Sequence, residues 1–200
     1  MNVDGIPYRT IWLADDGWAA EIIDQTRLPH EFVTVRLETL DDACVAIRDM
    51  WVRGAPLIGA TAAYGMALAV HADPSDASLE TAYAALYETR PTAVNLRWAL
   101  DEMRTLLAPL SPNARKQAAY ARAAEICDED VEICAAIGDH GKVLIEAAWE
   151  KKGRPALEAG GVNVLTHCNA GWLATVDWGT ALAPIYKAHD AGIPVHVWVD

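Results

Sequence analysis

Three side chains in this sequence stand where chemistry is possible: Cys168, Arg53 and Arg90. Cys168 lies in His167-Cys168-Asn169-Ala170-Gly171, a turn of mostly small residues after the apolar, β-branched run Val162–Thr166. That run reads as a buried parallel strand, and the pattern from Leu173 onward reads as helical. A strand that ends in a turn and feeds a helix leaves free backbone N–H groups at the turn, with the helix dipole behind them. A thiol at such a place has a lowered pKa and serves as acid, base or nucleophile, and the same N–H groups hold an anionic oxygen. The competing reading is a buried, inert cysteine, the usual fate of a free thiol.

Arg53 lies in Val52-Arg53-Gly54-Ala55-Pro56. Gly54 permits an unusual backbone geometry, and Pro56 suits the first turn of a helix read over about Leu57–Val70. An arginine beside helix N-terminal N–H groups suits a phosphate. A surface arginine paired with a carboxylate is the plainer alternative. Arg90 precedes Pro91, which disfavours helix at the arginine and puts it in an extended link before the helix that begins near Thr92.

The elements that must position these residues follow from periodicity and punctuation. Strand-like pieces at Thr10–Leu13, Trp18–Ile23 and Glu31–Arg36, with turn signals at Asp15-Asp16-Gly17 and Leu28-Pro29-His30, predict a small antiparallel sheet. Leu40, Cys44, Ile47 and Trp51 mark one face of a helix over Thr39–Met50, capped by Thr39 or Asp41. Further helices are expected over Asp76–Glu88 and from Thr92 to about Leu107. A long helix then runs from Ser111-Pro112 to about Trp149, where Gly138 and Gly141 allow another backbone to approach. Its acidic set Asp128, Glu129, Asp130 and Glu132 reads as a solvated face rather than a metal site, because consecutive positions point in different directions. After the Cys168 turn and its helix, Gly192 is a C′ residue followed by Pro194, and Val195–Val199 is a second strand. Strand, helix and strand form a right-handed parallel βαβ unit, so Cys168 and Asp200 fall at the carboxyl ends of strands, where open α/β sheets bind ligands.

The predicted fold is α/β: a helical N-terminal domain with a small antiparallel sheet, followed by the first part of a Rossmann-like parallel sheet. We divide it into 1–110, a bridging helix and loop over 111–160, and 161–200. With 200 residues, 52% of them hydrophobic, the chain can bury a real core. Its net charge of −12 and sequence pI of about 4.8 argue against a broad nucleic-acid-binding face. Cys44, Cys127, Cys134 and Cys168 are too scattered for a disulfide framework or a zinc site, and no GxGxxG or P-loop motif is present. No metal or cofactor is expected. No signal peptide opens the chain and no apolar run reads as a membrane span, so no membrane partner is expected and the cytoplasm is the default location.

Several motifs, in order, resemble the methylthioribose-1-phosphate isomerase family: DQT-x-LP at Asp24–Pro29, VRGAPLIGATAAYG at Val52–Gly65, RPTAVNL at Arg90–Leu96, and LTHCNAGWLAT followed by GTAL at Leu165–Leu182. That fold is shared with regulatory subunits of initiation factor 2B and with ribose-1,5-bisphosphate isomerases. The resemblance implies an aldose–ketose isomerase converting 5-methylthioribose 1-phosphate to 5-methylthioribulose 1-phosphate in methionine salvage. Cys168 is then catalytic, and Arg53, Gly54, Ala55 and Arg90 bind the small phosphorylated sugar, without cofactor, in a homodimer when full length. The alternatives are a ribose-1,5-bisphosphate isomerase or a non-catalytic regulatory subunit. The family's DETRP continuation, its QGARL-like segment and its acid–base aspartate lie beyond Asp200, so the 200 residues are expected to be inactive alone.

Overall fold

The computed structural model describes residues 1–200. It is a mixed α/β fold of two compact units: Arg9–Glu129, and Met1–Tyr8 together with Asp130–Asp200.

The Arg9–Glu129 unit carries the antiparallel sheet. After β1 (Asn2–Val3) and β2 (Ile6–Pro7) of the other unit, its strands β3 (Ile11–Leu13), β4 (Ala20–Ile23) and β5 (Thr34–Leu37) pair in sequence order, Ile11 opposite Ile22 and Ala20 opposite Leu37. Ile11, Ile22, Ile23 and Leu37 are fully buried. Helix α1 (Leu40–Arg48) begins with Thr39, not Asp41, as its cap: the Thr39 side chain accepts from the Asp42 N–H while the Asp42 carboxylate accepts from the Thr39 N–H. Helix α2 (Ala55–Ala72) is the centre of the unit. At 18 residues, about 27 Å, it is long and apolar enough to cross a membrane, contrary to the expectation that no run would qualify. In the fold 78% of it is buried, chiefly against α4 (Val94–Leu107), α1 and α3 (Asp76–Thr89). A helix apolar on all sides is what a core-spanning element requires.

Helix α5 (Pro112–Lys151) is 40 residues long and contributes to both units. Near its start Arg115, 2% exposed, donates to the carbonyls of Leu107, Ala108 and Pro74 and to the Asp76 carboxylate. One guanidinium thereby caps the end of α4 and holds the approach to α3.

The other unit has a hairpin of β1 (Asn2–Val3) and β2 (Ile6–Pro7), turned at Asp4 and Gly5, and a two-stranded parallel sheet of β6 (Val162–Thr166) and β7 (Val195–Val199). Register pairs Val162 with Val195 and Thr166 with Val199. The expected continuously buried β6 instead alternates: Val162 and Thr166 are buried and Val164 half-buried, while Asn163 and Leu165 face solvent. Helix α6 (Ala183–Asp190) and α5 cover one face only, with Ile145, Val162, Ile185, Ala188 and Ile193 as its core. Gly138 and Gly141 admit α6, as the spacing implies: a Cβ at Gly141 would sit 2.4 Å from the Pro184 ring.

Candidate functional site

The Cys168 turn differs from its sequence reading in one important way. No helix starts at Leu173. A single 3-10 turn over Trp172–Ala174 is followed by an irregular loop, and α6 begins only at Ala183. The loop is held by side chains that compete with helical hydrogen bonding. Thr175 Oγ1 accepts from the Gly179 N–H at 3.0 Å and donates to the Asp177 carbonyl, and Asp177 accepts from the Trp178 N–H at 2.8 Å. Trp178 and Gly179 both have positive φ, 68° and 80°. Gly179 also lies against the Gly171 backbone, where a Cβ would come within 2.4 Å. Cys168 therefore has no α-helix N-terminus beside it.

The position of Cys168 is distinctive on other grounds. It is the one exposed cysteine, whereas Cys44, Cys127 and Cys134 are buried. Burial pushes the Cys44 and Cys134 thiols up to about 11. Cys168 has a left-handed backbone, φ 70°, a conformation that costs energy in a non-glycine residue and clusters at functional sites. Its N–H donates to the Asp200 carbonyl at 3.2 Å, and the Asp200 N–H donates to the Thr166 carbonyl, so both residues do lie at the carboxyl ends of paired parallel strands. His167 Nδ1 is 2.8 Å from Asp200 Oδ2, a pairing that sequence reading missed because 33 residues separate the partners.

Cys168 borders a cavity of about 370 Å³, lined also by Thr166, Trp172, Leu182, Ile185 and Tyr186. Its lining contains no charged side chain. Burial raises the Tyr186 hydroxyl, which stays a neutral donor at physiological pH. Behind the loop, Asp130 accepts from the Val176 N–H at 2.7 Å; burial raises its pKa, so it is not part of a solvated acidic face.

The other candidate residues lie in the Arg9–Glu129 unit. Gly54 is the N-cap of α2 with φ 105°, as the need for glycine implies, and Pro56 lies in the first turn. No side chain caps this N-terminus, so the Ala55 and Leu57 N–H groups are open to an anion. Arg53 is exposed beside it. Arg90 is the C-cap of α3 and leaves the helical region at φ −151° and ψ 74°, as expected before Pro91, without being fully extended. The chain then returns to the start of α2, where the Asn95 carbonyl lies 3.0 Å from a Cβ built at Gly59. Arg53, Gly54 and Ala55 thus lie together at the start of α2, while Arg90 lies at the end of α3.

The ion-pair inventory separates these two arginines from the rest. Arg9, Arg27, Arg36, Arg48, Arg97, Arg104, Arg115, Arg122 and Arg154 each pair with a carboxylate. Arg53 and Arg90 are the remaining arginines of the sequence and pair with none, which removes the plainer reading of Arg53.

Comparison with known proteins adds a separate line. The sequence pattern of the initiation factor 2 subunit family matches residues 51–200. The chain is 68% identical over its whole length to a methylthioribose-1-phosphate isomerase of Paramagnetospirillum magneticum, covering 54% of that protein. It is 58% identical to one of Escherichia coli, covering 53%. The chain spans about half the length of the curated relatives it matches. Among solved structures, 5-methylthioribose 1-phosphate isomerase from Pyrococcus horikoshii superposes with a TM-score of 0.80 at 33% identity, over 97% of this chain and 52% of that one. The delta subunit of translation initiation factor eIF-2B from A. fulgidus gives 0.79 at 34% identity, over 96% and 54%.

Proposed function

Because the chain belongs to the initiation factor 2 subunit family, we propose that it is the part of a sugar-phosphate isomerase that binds substrate phosphate and supplies the thiol. The reaction is conversion of 5-methylthioribose 1-phosphate to 5-methylthioribulose 1-phosphate in methionine salvage. The identity to proteins of that name supports the substrate.

The observation that carries the reading is that Arg53, beside the uncapped start of α2, and Arg90, at the end of α3, are the arginines that no carboxylate neutralises. In a chain of net charge −12, these two arginines keep a positive charge that no carboxylate of the chain cancels and so are free to meet an anion. The guanidinium groups and the Ala55 and Leu57 N–H groups hold phosphate, and Gly54 lets the backbone turn toward it. Aldose–ketose interconversion needs ring opening and movement of a hydrogen between C1 and C2, which calls for groups that manage protons. Cys168 is one such group in our proposal, and the resemblance supplies an aspartate outside these residues as the other.

Two alternatives fit less well. A bisphosphate substrate asks for a second set of guanidinium groups, and every arginine other than Arg53 and Arg90 is already paired. A non-catalytic subunit has no use for an exposed, left-handed cysteine bordering a cavity. A cytoplasmic homodimer completes the proposal on the same resemblance, and sedimentation of the full protein tests the dimer.

The deciding experiment is turnover by the protein that carries this chain in full. Methylthioribose 1-phosphate is expected to be converted, ribose 1,5-bisphosphate to be a poor substrate, and Cys168→Ser to lose most turnover while binding changes little. A wild-type protein that leaves methylthioribose 1-phosphate unchanged refutes the reading.

A further inference from the structure

The loop that carries Arg53 is joined to the antiparallel sheet through the turn that follows β4. It runs from the end of α1 to Gly54, the N-cap of α2. Met50 within it has a left-handed backbone, φ 62°, which a non-glycine residue keeps only where its surroundings hold it. On the α1 side the hold is helical: the Asp49 N–H donates to the Val45 carbonyl at 2.8 Å. On the Arg53 side the Trp51 carbonyl accepts from the Gln25 N–H at 2.9 Å. Val52 comes next, fully buried, with its N–H on the Ala46 carbonyl. Arg53 follows directly after these two anchors.

The Gln25 N–H is in turn aimed by Asp24. The two residues are 4% and 8% exposed and lie just past the end of β4. The Asp24 N–H donates to the Val33 carbonyl, which fixes the start of the turn. Asp24 Oδ1 accepts from the Thr26 N–H at 2.9 Å and from Thr26 Oγ1 at 2.7 Å. A carboxylate that bonds the backbone two residues on closes an Asx turn, and so fixes the peptide between itself and the next residue. Here that peptide carries the Gln25 N–H. Buried carboxylates are ordinarily matched with a cation, but both of these Asp24 bonds stay inside its own turn. Asp24 thus sets local geometry, and the geometry leads to the Arg53 loop.

We propose that Asp24 is a positioning residue for phosphate binding. Its carboxylate aims the Gln25 N–H at the Trp51 carbonyl, and that bond keeps the Met50–Arg53 backbone in the shape that sets Arg53 beside the open Ala55 and Leu57 N–H groups. Without the acceptor the turn opens, the Trp51 carbonyl loses its donor, and Met50 relaxes from its left-handed form. Arg53 and the helix start then no longer meet one anion together. In this role Asp24 touches neither substrate nor reacting atoms, so the chemical step keeps its rate once substrate is bound. The proposal rests on the reading of Arg53 as a phosphate-binding residue.

The test measures kcat and KM for methylthioribose 1-phosphate, and inhibition by inorganic phosphate, in the full protein. Asp24→Leu keeps the shape and loses the acceptor, whereas Asp24→Asn keeps an acceptor and loses the charge. Asp24→Leu is expected to raise KM and the phosphate inhibition constant about fivefold to tenfold, the equivalent of one lost hydrogen bond, with kcat within about twofold of wild type. Asp24→Asn is expected to match wild type in all three. Thr26→Val removes one of the two bonds at an exposed position and is expected to weaken phosphate about twofold to fivefold; it decides the matter if Asp24→Leu does not fold. In an Arg53→Ala background, Asp24→Leu is expected to add little, because its effect passes through the Arg53 loop. Equal damage from Asp24→Asn and Asp24→Leu overturns the proposal, since the charge then acts directly. A fall in kcat at unchanged KM overturns it too, as does wild-type KM and phosphate inhibition in Thr26→Val or in a folded Asp24→Leu; each leaves the isomerase reading intact. Wild-type phosphate inhibition in Arg53→Ala overturns the phosphate-site reading itself.

Discussion

Replacing the buried Arg115 by methionine is expected to destabilise the Arg9–Glu129 unit strongly. Methionine keeps most of the volume and the flexible stem, so the cavity left behind is small. What is lost is the guanidinium, which satisfies the Leu107, Ala108 and Pro74 carbonyls and draws in Asp76. The Asp76 side chain is exposed, so its pairing adds little once solvent screening is allowed for. The carbonyls carry the effect: hydrogen bonds to a charged donor contribute about 1.5–3 kcal/mol each, and part of this returns if the last turn of α4 frays into water. A net loss of about 4 kcal/mol follows, within the range known for breaking a buried polar network. With a urea m-value of about 2 kcal/mol/M, the midpoint falls by about 2 M. Arg115→Lys keeps the charge but not the planar fork and should recover about half. Urea unfolding followed by circular dichroism measures both. A drop of less than about 0.5 M for Arg115→Met, at unchanged m, refutes the reasoning and means that water or backbone rearrangement satisfies those carbonyls.

Other outcomes follow from particular groups. Iodoacetamide at about pH 8 should modify Cys168 alone, because the other three thiols are buried and those of Cys44 and Cys134 are pushed up to about 11; more than one adduct by mass spectrometry contradicts this. Burial raises Asp130 above 3.8, so its favourable contribution is complete below that pH and is lost as pH rises through the folded-state value; Asp130→Asn should therefore gain on wild type between about pH 4 and pH 7 in denaturation curves, and a gain that shrinks over that interval is the wrong sign. Gly179→Ala should cost at least about 2 kcal/mol from backbone strain plus the Gly171 clash, whereas Gly192→Ala, with φ 76° but open space around it, should cost only about 1 kcal/mol; equal melting temperatures for the two would remove the clash argument. Arg53→Ala and Arg90→Ala should each weaken sugar-phosphate binding by about tenfold to a hundredfold by calorimetry, and normal binding by both moves the phosphate elsewhere.

The helices were legible because their signals are local. Thr39 with Asp42 three residues on, Gly54 followed by Pro56, and Pro112 after Ser111 each announce a boundary without tertiary information. The loop after Cys168 was not, because Leu173 onward has helical spacing and only long-range pairs overrule it: Gly179 against Gly171, and Asp130 holding the Val176 N–H from 46 residues away. The short β1–β2 hairpin escaped for a related reason: two-residue strands offer too little alternation to read. For the site, the arginine positions could be read from Gly and Pro punctuation, but that both are unpaired could be known only when every carboxylate had been placed. Asp24-Gln25-Thr26 looked like an ordinary strand end, and nothing local shows that the Trp51 carbonyl takes its donor there.

The isolation of Arg53 and Arg90 from carboxylates also sets how an anion finds them. Nine arginines are cancelled within a few ångströms by their own partners, so at long range the molecule presents mainly its surplus of negative charge. A sugar phosphate approaching from bulk solvent is repelled until it comes within about one Debye length, roughly 8 Å at physiological salt, of a guanidinium group that no carboxylate cancels. Capture is then a short-range event behind a long-range barrier. Moderate salt lowers that barrier before it weakens the final contacts, so the association rate should first climb with ionic strength and only afterwards fall.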